Sequence, residues 1–148
     1  MQQDTALRVD SVEVFDTLAT KLNARPEQYQ VLGDAYLDIA FVMRRPDNSV
    51  FRIRVCFEDL SITKVAEIAE GEEENSDCWL EADLSVWEAM FANIREHGQA
   101  TGMHTVNALT MRGVDMQLRG SDPMGVDRFS RFNQTLQWFL EGSNYDNT

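Results

Sequence analysis

Residues Cys78 to Gly142 read CWLEADLSVWEAMFANIREHGQATGMHTVNALTMRGVDMQLRGSDPMGVDRFSRFNQTLQWFLEG. Their order decides the fold class: a strand-like run, an amphipathic helix, an ambiguous segment, an alternating strand and a long aromatic-rich helix. Ser85 and Glu88 have the spacing of a capping box, which predicts a helix starting at Ser85. At about 100° per residue, Val86, Trp87, Met90, Phe91 and Ile94 share one face, while Glu88, Ala92, Arg95 and Glu96 lie opposite. His97 and Gly98 suit its end, because a helix C-terminus favours positive charge and glycine accepts the left-handed cap. The last helix is equally legible. Asp122 and Pro123 form an N-cap and first-turn pair, and Glu141-Gly142 a stop, about five turns later. Val126, Phe129, Phe132, Leu136, Phe139 and Leu140 recur at steps of three or four, a stripe suited to covering a sheet. Trp138 lies roughly 100° from that stripe, on the flank of Met124. It needs a second partner: a neighbouring loop, a ligand pocket or a subunit contact.

Between these helices, Val106 and Leu109, with Met103, argue for a short helix, while β-branched residues and two glycines also permit a loop. Helix is the reading taken. Val114, Met116 and Leu118 then alternate with Asp115, Gln117 and Arg119, a half-buried strand that ends at Gly120-Ser-Asp-Pro. Towards the N-terminus, Asp10 with Glu13 opens a helix whose Val14, Phe15, Leu18, Ala19 and Leu22 share a face, and Pro26 closes it. Asp34 to Arg45 and Val50 to Glu58 read as strands joined by the turn Pro46-Asp-Asn-Ser49, hence an antiparallel hairpin. Phe51, Ile53, Val55 and Phe57 face inward; Arg52, Arg54 and Cys56 face out, with Asp38 as a cross-strand neighbour. Leu60 to Ala69 is a third strand, with Leu60, Ile62 and Val65 inward. The acidic loop 70–77 is expected to be solvated, and its spacing does not match a calcium-binding loop.

Charge excludes more than it assigns. A net charge of −12 repels phosphate backbones and anionic membrane surfaces, so nucleic acid is not an expected partner. No run approaches the roughly 20 apolar residues of a membrane span, and the first residues lack a basic region followed by an apolar core. No stable membrane insertion is therefore expected, and the expected location is the cytoplasm. In a reducing compartment Cys56 and Cys78 read as small core residues. C-x-x-C, H-x-x-x-H, G-x-S-x-G and glycine-rich phosphate loops are all missing, so no metal, cofactor or catalytic residue is assigned. An enzyme reading, a small α+β cone that isomerises or dehydrates an apolar substrate, would rest on His104, Asp115 and Asp38. A third reading is a partner-binding module with Trp138, Trp87 and exposed methionines on a dimer face.

The run Trp79-Leu-Glu-Ala-Asp-Leu-Ser85 before an apolar helix, then Arg112-Gly-Val-Asp-Met-Gln-Leu-Arg-Gly120 and a terminal amphipathic helix, resembles the sterol carrier protein 2-like family. Asn23-Ala-Arg-Pro26 followed by a strand with Leu37, Ile39 and Phe41 resembles that family's opening, so the likeness runs from Val12 to Gly142. Gly113 and Gly120 stand one residue further apart than in the family pattern, which implies a bulge or a different strand end. The resemblance implies an α/β (α+β) fold, a five-stranded sheet covered on one face by helices, enclosing an apolar tunnel for sterols, fatty acids or acyl-CoA. One domain over residues 1–148 is expected, with a short disordered tail at 143–148. The expected arrangement has helices 85–97 and 122–141 roofing an antiparallel-rich sheet. The slot beneath them would be lined by Met90, Phe91, Ile94, Met103, Met111, Met116, Phe132, Leu136 and Trp138. The expected function is non-catalytic binding or carriage of an apolar small molecule such as a fatty acid, acyl-CoA or sterol, with a homodimer as the alternative partner.

Overall fold

The computed structural model describes residues 8–142 apart from 31, 34 and 114, and the side chains of Gln28, Tyr29 and Met103 also lie outside the description. The expectations for Asp34, Val114, the Met103 side chain and the tail 143–148 therefore fall outside the described residues. In chain order the elements are α1 (Val12–Asn23), α2 (Pro26–Gln30), β1 (Leu37–Arg44), β2 (Val50–Glu58), β3 (Ser61–Glu67), β4 (Cys78–Asp83), α3 (Leu84–His97), α4 (Val106–Arg112), β5 (Met116–Arg119) and α5 (Pro123–Glu141). Short 3-10 turns occupy Glu72–Asn75 and Gly102–His104.

The sheet runs β3-β2-β1-β4-β5. Its neighbours are antiparallel except for the parallel pair β1 and β4. The hairpin expected at Pro46–Ser49 forms, with the Arg45 N–H donating to the Ser49 carbonyl at 2.8 Å and Asn48 in the left-handed region at φ 73°. β2 alternates as its sequence does. Central β1 does not, because Ala40 and Val42 are buried although they face away from the helices. Their sheet neighbours are Arg54 and Trp79 for Ala40, and Arg52 and Glu81 for Val42, whose long stems flank them.

The helices converge on Phe41. Its ring centroid lies 5.1 Å from Phe15 of α1, 5.6 Å edge-on from Trp87 of α3 and 6.4 Å from Phe139 of α5. All four side chains are essentially inaccessible, and each such burial contributes about 1.5–3 kcal/mol. The Trp87 indole N–H donates to the Val42 carbonyl at 3.3 Å, which gives the buried ring its polar partner. The helix faces read from the sequence match the burial for Val14, Phe15, Leu18, Ala19 and Leu22 in α1. They also match for Trp87, Met90, Phe91 and Ile94 in α3, while Val86 is only half-buried.

Several local expectations are corrected, and at the starts of α1 and α3 a carboxylate has found an arginine distant in the sequence. α3 begins at Leu84, not Ser85; Asp83 is its cap residue but makes no capping bond, since Arg44 Nε donates to its Oδ1 at 2.9 Å. Ser11 rather than Asp10 caps α1, by accepting from the Val14 N–H at 3.4 Å. The Asp10 carboxylate is instead buried between Arg8 (2.8 Å) and Arg45 (2.7 Å). Pro26 does not simply end α1; it opens α2, where its missing N–H costs nothing. On the open face of the sheet Arg54 pairs with Asp38 as expected. Arg52 pairs at 3.1 Å with Glu73, which draws that one side chain down while Glu70, Gly71, Glu72, Glu74 and Asn75 stay exposed, as expected of a solvated loop. Asp77 ends that loop by accepting from the Asp38 N–H at 2.9 Å and donating its own N–H to the Asp38 carbonyl at 2.7 Å.

α5 lies tight against that same corner. A Cβ built on Gly125 would stand 2.0 Å from the Asp77 carbonyl oxygen, so only glycine permits the approach. Asp122 caps the helix as expected, accepting from the Met124 N–H at 2.9 Å. The helix is not one regular rod. At Phe132 the backbone leaves helical geometry (φ −113°, ψ 15°), and beyond it Thr135, Leu136, Gln137, Phe139 and Leu140 are buried while Phe132 is only half-buried. For the bulge or different strand end expected between Gly113 and Gly120, the β4–β5 pairing shows no register shift from Trp79 opposite Arg119 to Ala82 opposite Met116; a register shift does occur between Cys56 and Phe57 in the β2–β3 pairing.

Candidate functional site

A cleft of about 330 Å³ opens where α3, α4 and the start of β5 meet, lined by Ser85, Val86, Ala89, His104, Leu109, Arg112 and Asp115. Val86, Ala89 and Leu109 are its apolar lining, and Ser85, His104, Arg112 and Asp115 its polar lining. Each wall is set by local chemistry. Thr105 caps α4 by accepting from the Ala108 N–H at 3.1 Å, and Gly113 ends it at φ 67°. The segment before α4 is pinned by side chains. Asn93 Oδ1 accepts from the Thr101 N–H at 2.8 Å, and Gln137 Oε1 from the Val106 N–H at 2.8 Å. Glu141 Oε2 accepts from the Ala100 N–H at 3.2 Å. Burial pushes the Glu141 carboxyl above the usual carboxylate range, with the Ala100 and Gln137 hydrogen bonds pulling the other way. His104 Nδ1 lies 3.3 Å from the Thr101 carbonyl oxygen, which assigns its proton in the neutral ring and leaves Nε2 as an acceptor.

The five-strand order and its covering helices can now be set beside solved structures. A crystal structure of sterol carrier protein 2 superposes at a TM-score of 0.68, covering 91% of this chain and 96% of that one, with 15% sequence identity. This chain has the sterol carrier protein 2 fold. A conserved hypothetical protein from Thermus thermophilus, put forward as a sterol carrier protein, gives a TM-score of 0.67 at 14% identity over 97% of this chain and 92% of its own. Sterol carrier protein 2 from Yarrowia lipolytica in its apo form gives 0.50 at 14% identity, over 99% and 100%. No protein-family model matches the sequence, and no curated protein sequence is significantly similar to it.

Within the sterol carrier protein 2 fold, Met90, Phe91, Ile94, Met116 and Leu136 lie in one apolar cluster with the sheet, all at 0–1% exposure. Phe132 and Trp138 pack on its flank, half-buried. Met111 does not face inward: it is 79% exposed. The reason is helical phase, since Val106 and Leu109 take the inward positions of α4 and Met111 lies about 200° round from Leu109.

His104 and Asp115 share the cleft with Ser85, yet among the described residues no hydrogen bond joins any two of the three. A nucleophile, base and orienting acid in sequence would need those contacts. Asp38 belongs to a separate cleft with Tyr36, Cys56 and Arg128, on the open side of the sheet. Burial raises both thiols, Cys78 to about 12, which keeps them protonated and unreactive. No group of three or more metal-ligating side chains occurs among the described residues, and no helix among them is long and apolar enough to cross a membrane. The sequence reading missed Asn93, Gln137 and Glu141. A signal existed for the last two, which stand i, i+4 on α5 beside its apolar stripe.

Proposed function

We propose that this protein binds and carries an apolar small molecule such as a fatty acid, an acyl-CoA or a sterol. The observation that carries the reading is the likeness of fold to sterol carrier protein 2 over nine-tenths of both chains. Two features of the chain's own agree with it. The helical layer meets the sheet through adaptable methionines and aromatics, with Met90, Phe91, Ile94, Met116, Phe132, Leu136 and Trp138 as the proposed lining. The cleft at α3 and α4 offers a mixed lining, with Val86, Ala89 and Leu109 apolar and Ser85, His104, Arg112 and Asp115 polar.

Native mass spectrometry of protein purified from cells, with organic extraction of the same sample, tests the reading. A stoichiometric apolar adduct, or saturable binding of a fluorescent fatty acid or sterol afterwards, is the expected result. A clean apo dimer that binds neither probe would overturn it. The exposed Met111 and Met124 would then mark the surfaces to examine for a subunit contact.

A further inference from the structure

The apolar cluster is closed. Met90, Ile94, Met116 and Leu136 have no accessible surface, and Phe91 almost none, so a ligand reaches them only if a covering element moves. The open cleft is small, at the low end of the roughly 300–1,000 Å³ that ligand pockets occupy. Room for the remainder of a lipid has to come from displacement.

One segment is attached in a way that suits such movement. Residues 99–112 lie between Gly98 (φ 81°) and Gly113 (φ 67°), two glycines in the left-handed region where backbone rotation is least hindered. Among the described residues, the backbone hydrogen bonds of 101–113 outside α4 itself stay within the segment: His104 to Thr101, Leu109 to Thr105, Gly113 to Leu109. Its ties to the rest of the molecule are made by side chains. Asn93 on α3 holds Thr101, and Gln137 and Glu141 on α5 hold Val106 and Ala100. Gln117 of β5 steadies the second hinge through the Gly113 carbonyl at 3.2 Å. Only Ala100, Val106 and Leu109 among its described apolar side chains are buried, three feet on the core rather than a sheet ladder. Such an element opens at low cost compared with β1 or β4, whose residues are bonded on both sides.

We infer that residues 99–112 form a gate, hinged at Gly98 and Gly113 and clasped by Asn93, Gln137 and Glu141, whose opening admits the apolar part of the ligand between α3, α5 and β5. The inference rests on the carrier reading above and names the moving part of the same site. The cleft is the mouth of the gate, since His104, Leu109 and Arg112 ride on the segment while Ser85, Val86 and Ala89 stay with α3.

The test pairs amide hydrogen exchange with stopped-flow binding of cis-parinaric acid to wild type, Asn93→Ala and Gln137→Ala. Each variant removes one clasp, and Asn93→Ala, lying nearer the surface, keeps the test open should the buried Gln137 change prove harder to fold. Exchange across 99–112 is expected to quicken by about fivefold, the worth of one net hydrogen bond, with β1 and β4 amides unchanged. Association and dissociation rates should rise together while the Kd moves far less. Faster exchange with unaltered binding rates would overturn the gate and leave the carrier reading standing. Unaltered exchange in both variants would equally overturn it, because the clasps would not be what holds the segment. A wild-type protein that binds no probe would remove the carrier reading and the gate together.

Discussion

Replacing Gly125 with alanine probes how tightly the last helix is seated. The new methyl would stand 2.0 Å from the Asp77 carbonyl oxygen, 2.8 Å from its carbonyl carbon and 3.1 Å from its Cα. Roughly 1 Å or more of retreat is needed before ordinary van der Waals contact is restored. Neither side retreats easily. The Asp77 backbone is held by Asp38 through its own N–H and through its carboxylate, and the start of α5 is fixed by the Asp122 cap and the buried Phe129. Overpacking of this kind costs about 1–3 kcal/mol, and the shift would also loosen Phe129. Against it stands about 1 kcal/mol of helix propensity that alanine gains over glycine. The expected balance is a loss of about 1 kcal/mol, more as Phe129 loosens, or a Tm lower by about 2–4 °C for a chain of this size. Urea unfolding followed by far-ultraviolet circular dichroism measures it, with Ser130→Ala on the exposed side of the same helix expected within about 0.5 kcal/mol of wild type. A Gly125→Ala midpoint at or above the wild-type value would refute the close approach of α5 to Asp77.

Glu141→Gln keeps the carboxylate's acceptor role but removes a charge that burial disfavours. A carboxyl raised in the folded state contributes stability below its unfolded pKa and loses it as pH rises through the folded value. The stability of Glu141→Gln relative to wild type should therefore improve as pH rises above the ordinary glutamate value of about 4, as read by Tm; a constant difference would contradict the shift. Asp10 has the opposite sign: burial pushes its carboxyl up, but the Arg45 and Arg8 hydrogen bonds outweigh it and hold it low. Its contribution is present above the unfolded pKa and fades as pH falls through the folded one. Asp10→Asn should accordingly destabilise at pH 7 and approach wild type as pH falls past the ordinary aspartate value and through the lower folded one, which acid-unfolding curves would test. Trp87→Phe removes a fully buried indole and its bond to Val42, and should lower unfolding stability by about 1–3 kcal/mol; an unchanged urea midpoint would mean the ring is not packed as described.

Legibility followed the range of the interaction. The inward residues of α1 and β2, the Gly98 stop of α3 and the Asp122-Pro123 start of α5 were readable because each depends on neighbours within a few positions. Capping was misread at Asp10 and Ser85 for a definite reason. A capping box is a local bond, and here Arg45 and Arg44, more than thirty residues from their partners in sequence, compete for the acids beside it. The proposed lining residues were recognisable as apolar, but the outward turn of Met111 came from the phase in which α4 docks. Asn93, Gln137 and Glu141 carry no motif; their role exists only because the backbone of 100–106 lies against them.

The sequence by itself determined which faces of the helices and strands are apolar, because side-chain periodicity follows from backbone geometry alone. It also set the charge balance that disfavours polyanionic partners. Only the tertiary structure decided that β1 pairs parallel with β4, that Glu73 answers Arg52, and that Gly125 must lack a side chain. It alone brought Ser85, His104, Arg112 and Asp115 around one cleft. These are contacts between segments distant in the chain, chosen by how the apolar faces close on one another, and no local pattern encodes them.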